Sequence, residues 1–438
     1  MVAFRAPPAN SQTPWSPLEQ TKYCLSNVTL IDPLDGSLTH GANVYLAEGK
    51  VVTVSTSKPR VTEATVNVDL SGKYICPGLI DCHVHLATPP GEDGLSATMG
   101  QDASTSLLRQ PWLARQMLNR GFTSVRDCGG ASLALKDAIA EGLHPGPRLF
   151  ISVHALSQTG GHGDLRSAKD AEYDCCGGHG SGIGRVADGV DQCLQATREQ
   201  LRQGADFIKI MCSGGVASPT DRLTSTQYTP EEIRAITGVA KASGTYVTAH
   251  AYTPESIVNA IENGVMGIEH GNLIDEPTAK LMADKGVYLT PTLITYEALS
   301  SPQFRDFLPR NNAEKNMQVL KAGLKSIRIA DAAGVTLCYG TDLLGPLQIR
   351  QTGEFSLRGQ VLSALKVLQS ATVNAAKMIR QEGALGRVDE GYIADLLILD
   401  ANPLDDIKIL DKPEKHLLVV IKEGRVVMSR HAALLVEI

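Results

Sequence analysis

Two hydrophobic textures divide the chain. Between residues 24 and 70, short apolar runs (Val28-Thr29-Leu30-Ile31, Ala42-Asn43-Val44-Tyr45-Leu46 and Val51-Val52-Thr53-Val54) are separated by Asp35-Gly36, Gly41 and Gly49, which predicts a small antiparallel sheet. The end of the chain repeats this texture: Ala394-Asp395-Leu396-Leu397-Ile398-Leu399 and Leu417-Leu418-Val419-Val420-Ile421 flank the turn signals Asn402-Pro403 and Glu423-Gly424. Neither end has enough strands for a core of its own, so the two are expected to pack together as one composite β-domain. Residues 1–20, rich in Pro, Ser and Asn, read as an extended arm.

The middle of the chain alternates differently. Eight β-branched runs, at 80–86, 123–127, 149–155, 207–212, 246–250, 267–270, 288–293 and 336–341, are separated by amphipathic, capped segments. Thr229-Pro230-Glu231-Glu232 has the form of a capping box with Pro at the first helical position, and Gly264 and Gly286 stand where helices should stop. Ile257, Val258 and Ile261 are expected to share one apolar helix face. Seven steps from His83 to Asp342 leave about 37 residues each, room for a strand, a helix and two loops. The pattern predicts an α/β fold: a (β/α)8 TIM-type barrel over 73–384, with a composite β-sandwich domain formed by 21–72 and 385–438. In such a barrel, reactive groups belong at the carboxyl ends of the strands.

Composition narrows the partners. The 438 residues carry 41 Lys and Arg against 47 Asp and Glu, a net charge of -6 with no basic block, so a nucleic-acid partner is not expected. No apolar stretch approaches the ~18 residues of a membrane span, and the first residues lack the apolar core of a secretory signal. Nine scattered cysteines, an odd number, exclude a complete disulfide framework. These features favour a cytoplasmic location, or secretion if the chain is a processed form.

The candidate chemistry lies at the ends of the middle runs. His83-Val84-His85 places two imidazoles on the same side of a strand. Lys209, His250, His270 and Asp342 each stand at or near the end of a later run. A lysine inside an apolar strand needs a chemical reason, because desolvation penalises its charge. Four histidines, a carboxylate and a lysine meeting at one rim are too many ionisable groups to bury without cations, and imidazole with carboxylate suits zinc or a similar divalent ion.

This order of His-x-His, Lys, His, His and Asp resembles the amidohydrolase superfamily from about Cys24 onward. The resemblance implies two divalent ions, zinc being expected. His83, His85 and Asp342 would hold one ion, His250 and His270 the other, and an N6-carboxylated Lys209 would bridge them. Asp342 would also act as general base and acid. Thr159-Gly160-Gly161-His162-Gly163-Asp164, Met211-Cys212-Ser213-Gly214-Gly215-Val216 and His250-Ala251-Tyr252 resemble the imidazolonepropionase-like and Xaa-Pro dipeptidase branch, with the ochratoxinase group nearest. That resemblance implies a small-molecule amide substrate cut beside a C-terminal amino acid, with ochratoxin A, split into ochratoxin alpha and phenylalanine, foremost. A Xaa-Pro or other dipeptidase, or a cyclic-amide hydrolase or deaminase, is the alternative, and related proteins imply a homo-oligomer. A non-catalytic scaffold on a degenerate barrel should have lost ligands, and all six donors are present.

Around these donors, His162 in its glycine-rich loop, Tyr252 and Tyr228 are candidate substrate contacts. The stretch 175–184, Cys175-Cys176-Gly177-Gly178-His179-Gly180-Ser181-Gly182-Ile183-Gly184, fits neither glycine-rich nucleotide motif and reads as a mobile loop bordering the pocket.

Overall fold

A computed structural model describes Trp15, Lys169 and residues 19–57, 64–166, 182–218 and 220–437. Most of the expected arm, and 175–181 of the glycine-rich loop, fall outside the described residues.

The apolar runs of the two ends meet in one sheet. Its strands are β1 (Lys22–Ile31), β2 (Leu38–Ala47), β3 (Lys50–Ser55), β4 (Thr65–Asp69) and β5 (Tyr74–Pro77) from the first part of the chain. From the last part come the strands Leu396–Leu399, Leu417–Lys422 and Arg425–Ser429. The ends join where Leu396–Leu399 lies antiparallel to β5, with Leu397 opposite Cys76 and Ile398 opposite Ile75. Leu25, Val28, Val44, Leu396 and Val419 share a buried core on this sheet. The first part is mixed rather than antiparallel, since β4 and β5 both run parallel to β1. Alternation of apolar and polar residues fixes which face a strand buries but is silent on its direction. β5 also carries the sheet past residue 72, where the barrel was expected to begin.

The middle runs form parallel strands. β6 (Leu79–Val84), β7 (Phe122–Asp127) and β8 (Arg148–Ile151) make one sheet. A second contains β9 (Ala155–Ser157), β10 (Gly184–Val186), β11 (Ile208–Met211), β12 (Val247–Ala251), β13 (Gly267–His270) and β14 (Tyr288–Thr290). In chain order the last three strands of the molecule are therefore β15 (Leu396–Leu399), β16 (Leu417–Lys422) and β17 (Arg425–Ser429).

Three expected runs differ in detail. The third splits into β8 and β9 because Val153 has φ +65°, a conformation that interrupts a ladder. The seventh stops at Thr290: Pro291 has no N–H to donate, Thr292 has φ +49°, and a helix starts at Leu293. The eighth, 336–341, forms an isolated bridge from Leu337 to Leu289 of β14 rather than a regular strand. On its other side, Cys82 N donates to Tyr339 O at 2.8 Å and Asp342 N to His83 O at 2.8 Å, tying this run to β6.

The helices follow their sequence signals more closely. The helix Pro230–Ala242 begins with the expected capping box between Thr229 and Glu232. In Pro254–Glu262, Ile257 and Ile261 are buried, but Val258 is 37% exposed and Ala260 takes its place on the inner face. No described helix is long and apolar enough to cross a membrane, and none of the described cysteines forms a disulfide.

Candidate metal centre

β6 delivers His83 and, just beyond its end, His85. Buried Asp81 anchors this strand to the run carrying Asp342: its carboxylate accepts from His83 N at 3.1 Å, Thr341 Oγ1 at 2.8 Å and Gln351 Nε2 at 3.0 Å. Buried Asp127 at the end of β7 accepts from Leu86 N at 2.7 Å, Gly129 N at 3.0 Å and Ala131 N at 3.1 Å, which fixes the turn packed against His85. Lys209, His250 and His270 come from β11, β12 and β13. All six donors, His83, His85, Lys209, His250, His270 and Asp342, line one pocket together with His162, Met99, Met211 and Leu344.

Hydrogen bonds from the outer nitrogens set which nitrogen faces the pocket. His85 Nδ1 lies 2.9 Å from Gly129 O, which only accepts, so Nδ1 carries the proton and Nε2 presents its lone pair. That Nε2 is 3.1 Å from Asp342 Oδ1, and His83 Nε2 is 3.4 Å from the same oxygen. Ligand atoms of His83, His85 and Asp342 all lie within 4.8 Å of one another. His250 Nε2 sits 3.2 Å from Gly214 O, so its Nδ1 is the free acceptor. His270 Nδ1 is held by Thr292 Oγ1 at 2.7 Å and Tyr296 OH at 3.0 Å.

Charge at the centre is consistent with this donor set. Burial alone would raise the Asp342 carboxyl, but His83 and His85 beside it outweigh burial and hold it well below the usual carboxylate range. Burial, reinforced by His162 and His270, pushes the His250 imidazole well below its ordinary value. Burial does the same to His270, against the pull of Asp342. An ionised carboxylate therefore shares the pocket with the neutral imidazoles of His250 and His270, while the His83 imidazole is drawn well above its ordinary value, against its burial, by Cys128, Asp342 and Glu269. Two acceptors 3.1 Å apart repel unless a proton or a cation lies between them. Lys209 is 1% exposed and lines the same pocket as the imidazoles and Asp342. Imidazole nitrogens and carboxylate oxygens in this arrangement fit a divalent ion.

The substrate-contact candidates separate. His162 stacks on His250 with ring centroids 4.1 Å apart and hydrogen-bonds Ser218 Oγ through Nδ1 at 2.9 Å. Gly215 makes this possible, because a Cβ there would sit 2.1 Å from the His162 ring. Tyr252 packs edge-on against His250 and pairs its hydroxyl with that of Tyr296 at 2.6 Å. Both tyrosines, with His162 and Asp342, line an adjoining pocket walled by Leu95, Val216, Phe307, Leu308 and Leu347, about 400 Å³ counted to its open mouth. Tyr228 is elsewhere: it is 4% exposed, its OH donates to Ala187 O at 3.1 Å, and it lines neither pocket.

Sequence reasoning passed over Arg126 and Glu269, both 0% exposed. The signal was present, since each is a charged residue inside an apolar run, the criterion that singled out Lys209. It also passed over Thr292 and Tyr296, which no local pattern marks.

A model of the amidohydrolase family matches residues 74–427. Ochratoxinase from Aspergillus niger is 31% identical over 421 residues, covering 90% of this chain and 85% of that protein. Among solved structures, a prolidase complexed with N-methylphosphonate-L-proline has a TM-score of 0.89 and 42% identity, covering 94% of this chain and all of that one. A Xaa-Pro dipeptidase with bound methionine has a TM-score of 0.84 and 29% identity, covering 93% of this chain and 99% of that one. These neighbours share a TIM-barrel-type α/β fold, and the superfamily typically binds metal ions. The chain belongs to the amidohydrolase family and is a hydrolase acting on amide or peptide bonds.

Proposed function

We propose that this chain is a binuclear metal-dependent amidohydrolase that cleaves the amide joining an acyl group to a C-terminal amino acid. The supporting observation is the meeting of six donors from five separate chain segments in one pocket, with the Nε2 atoms of His83 and His85 3.4 and 3.1 Å from the Asp342 carboxylate. His83, His85 and Asp342 would hold one ion and His250 and His270 the other. Carboxylation of the neutral Lys209 amine by carbon dioxide would form an N–C bond at Nζ with loss of one proton, and would make this lysine an anionic oxygen ligand for the two ions. The Lys209 side chain, 1% exposed and lining the same pocket as the other five donors, supports that role. Divalent ions, Zn2+ first among them, supply Lewis acidity that lowers the pKa of water and polarises a carbonyl.

The chain's own groups do the rest. Asp342, whose side chain is 22% exposed, faces the open space, accepts the proton of the attacking water and returns it to the leaving nitrogen. His162 and the Tyr252–Tyr296 hydroxyl pair border both the donors and the apolar pocket, where they orient the substrate carbonyl or carboxylate. The apolar pocket receives one side chain of the substrate and keeps water from it.

Among substrates, Xaa-Pro dipeptides come first in this proposal, because the prolidase neighbour is 42% identical against 31% for ochratoxinase. Ochratoxin A is the second reading, supported by the 31% identity to ochratoxinase and by the apolar wall of Leu95, Phe307 and Leu308. The proposal includes closure of the two parallel sheets as a barrel over 73–384, a sandwich made from 21–72 and 385–438, and assembly as a homo-oligomer. Supporting closure are the backbone bonds that run from β14 through 336–341 to β6. A panel of Xaa-Pro dipeptides, other dipeptides, N-acylated amino acids and ochratoxin A, assayed for released amine, tests the substrate class. Cleavage of none of them, by protein that carries metal, rejects it.

A further inference from the structure

Beneath the donors lies a fully buried charge cluster that the proposed reaction does not use. Arg126 Nη2 is 2.5 Å from Glu269 Oε1, and Arg126 Nε donates to Cys82 O at 2.6 Å. Thr248 Oγ1 also donates to Glu269 Oε1. The other carboxylate oxygen, Glu269 Oε2, is 2.7 Å from His83 Nδ1. The Arg126 guanidinium stacks over Phe207 at 4.9 Å, and both charged side chains are 0% exposed.

A buried ion pair is a poor source of stability, since well-packed apolar residues of the same volume often serve as well or better. This pair therefore calls for another reason. His83, Cys128 and Glu269 also bring ligand atoms within 4.8 Å of one another. A cation there would press against the Arg126 guanidinium, which already occupies one Glu269 oxygen, so this trio is not a second metal site. What the geometry does achieve is directional. With Oε1 taken by Arg126 and Thr248, Oε2 is left for the N–H of His83. A neutral imidazole that donates through Nδ1, as it must to hold a cation, presents Nε2 as the acceptor, and that nitrogen is the one 3.4 Å from Asp342.

We infer that Glu269, held by Arg126 and Thr248, is a positioning residue that fixes the ring orientation and the Nδ1–H tautomer of His83. The inference rests on the metal-centre reading for its functional meaning. The two are separated by comparing two double variants of the full chain, R126M/E269L and R126M/E269Q. Both remove the buried charges together, so neither leaves one unpaired. Only the glutamine keeps an acceptor oxygen for His83 Nδ1–H.

The readout is Zn2+ affinity by chelator competition, with the thermal transition of each variant recorded beside it. R126M/E269L is expected to bind Zn2+ about 10- to 100-fold more weakly than the wild type, and R126M/E269Q to recover most of that loss. Equal affinity of both variants for Zn2+, whether unchanged or equally lowered, overturns the inference, because an acceptor opposite His83 would then be irrelevant. If the leucine variant does not fold, Thr248→Val replaces it. That change removes one hydrogen bond to Glu269 and no charge, and a smaller loss of affinity is expected; no loss overturns the inference. A wild type that takes up no Zn2+ defeats the metal-centre reading, and the tautomer of His83 is then decided by 15N shifts of its ring in metal-free protein at a pH where that ring is neutral. An Nδ1–H ring in the wild type that becomes mixed in the weakened variant supports the positioning role; the same tautomer in both overturns it.

Discussion

His270, Thr292 and Asp342 hold φ values of +72°, +49° and +53°, and two of the three are proposed ligands while the third grips His270. Such conformations cost of order 1–3 kcal/mol each and persist where surrounding structure enforces them, often at functional sites. Asp342 therefore tests the proton-transfer role cleanly. Asp342→Asn keeps an oxygen at the same place but cannot take a proton, so turnover should fall by about 10²- to 10⁴-fold with most metal retained. Unchanged turnover would remove Asp342 from the proton path. Gly215→Ala pushes a methyl against the His162 ring and should displace it from His250. Lower kcat/KM with normal metal content is expected, and an unaltered kcat/KM would make His162 a bystander. The donors were legible in the sequence because each is an ionisable residue closing an apolar run. Glu269 and Arg126 met the same test, yet only contact across three strands reveals that Glu269 joins Arg126 to His83.

At the scale of elements, periodicity located the strands and end signals located the helices. What it could not give was strand direction within the end sheet or the break in the third run, where Val153 adopts a conformation that no β-branched residue advertises. The short helix Gly353–Arg358 was also invisible, and it carries a second buried pair. Glu354 Oε1 accepts from Arg358 Nε at 2.7 Å while Oε2 accepts from Ile294 N at 2.7 Å, and the guanidinium lies 5.3 Å over the Tyr339 ring. Both partners are 0% exposed. Removing one leaves the other charge buried alone, so Arg358→Met should lower stability by about 3–5 kcal/mol in chemical denaturation. A change below about 1 kcal/mol would show that the Glu354 carboxyl is satisfied without its partner.

Across the whole molecule, the end sheet and the parallel strands are bound by charge as well as by the short step from β5 to β6. Arg148 of β8 reaches Asp395 at 2.7 Å and Glu423 at 2.6 Å, contacts between residues far apart in the chain. That the two ends would combine was legible from their shared texture; that β15 would pair with β5 was not, because such pairing depends on where the barrel strands lead the chain. An ion bound only by the folded chain stabilises it by mass action, about 4 kcal/mol when present at a thousand times its Kd. Chelation should accordingly lower the thermal transition, and an unmoved transition would mean that the folded state gains nothing from metal. Dependence of hydrolysis on metal is measured by following metal content and amide hydrolysis on one preparation before chelation, after it, and after adding Zn2+ back. A binuclear centre should show two divalent ions per chain, loss of both metal and hydrolysis on chelation, and recovery of both with Zn2+. Full hydrolysis by protein stripped to less than about one ion per ten chains would contradict it.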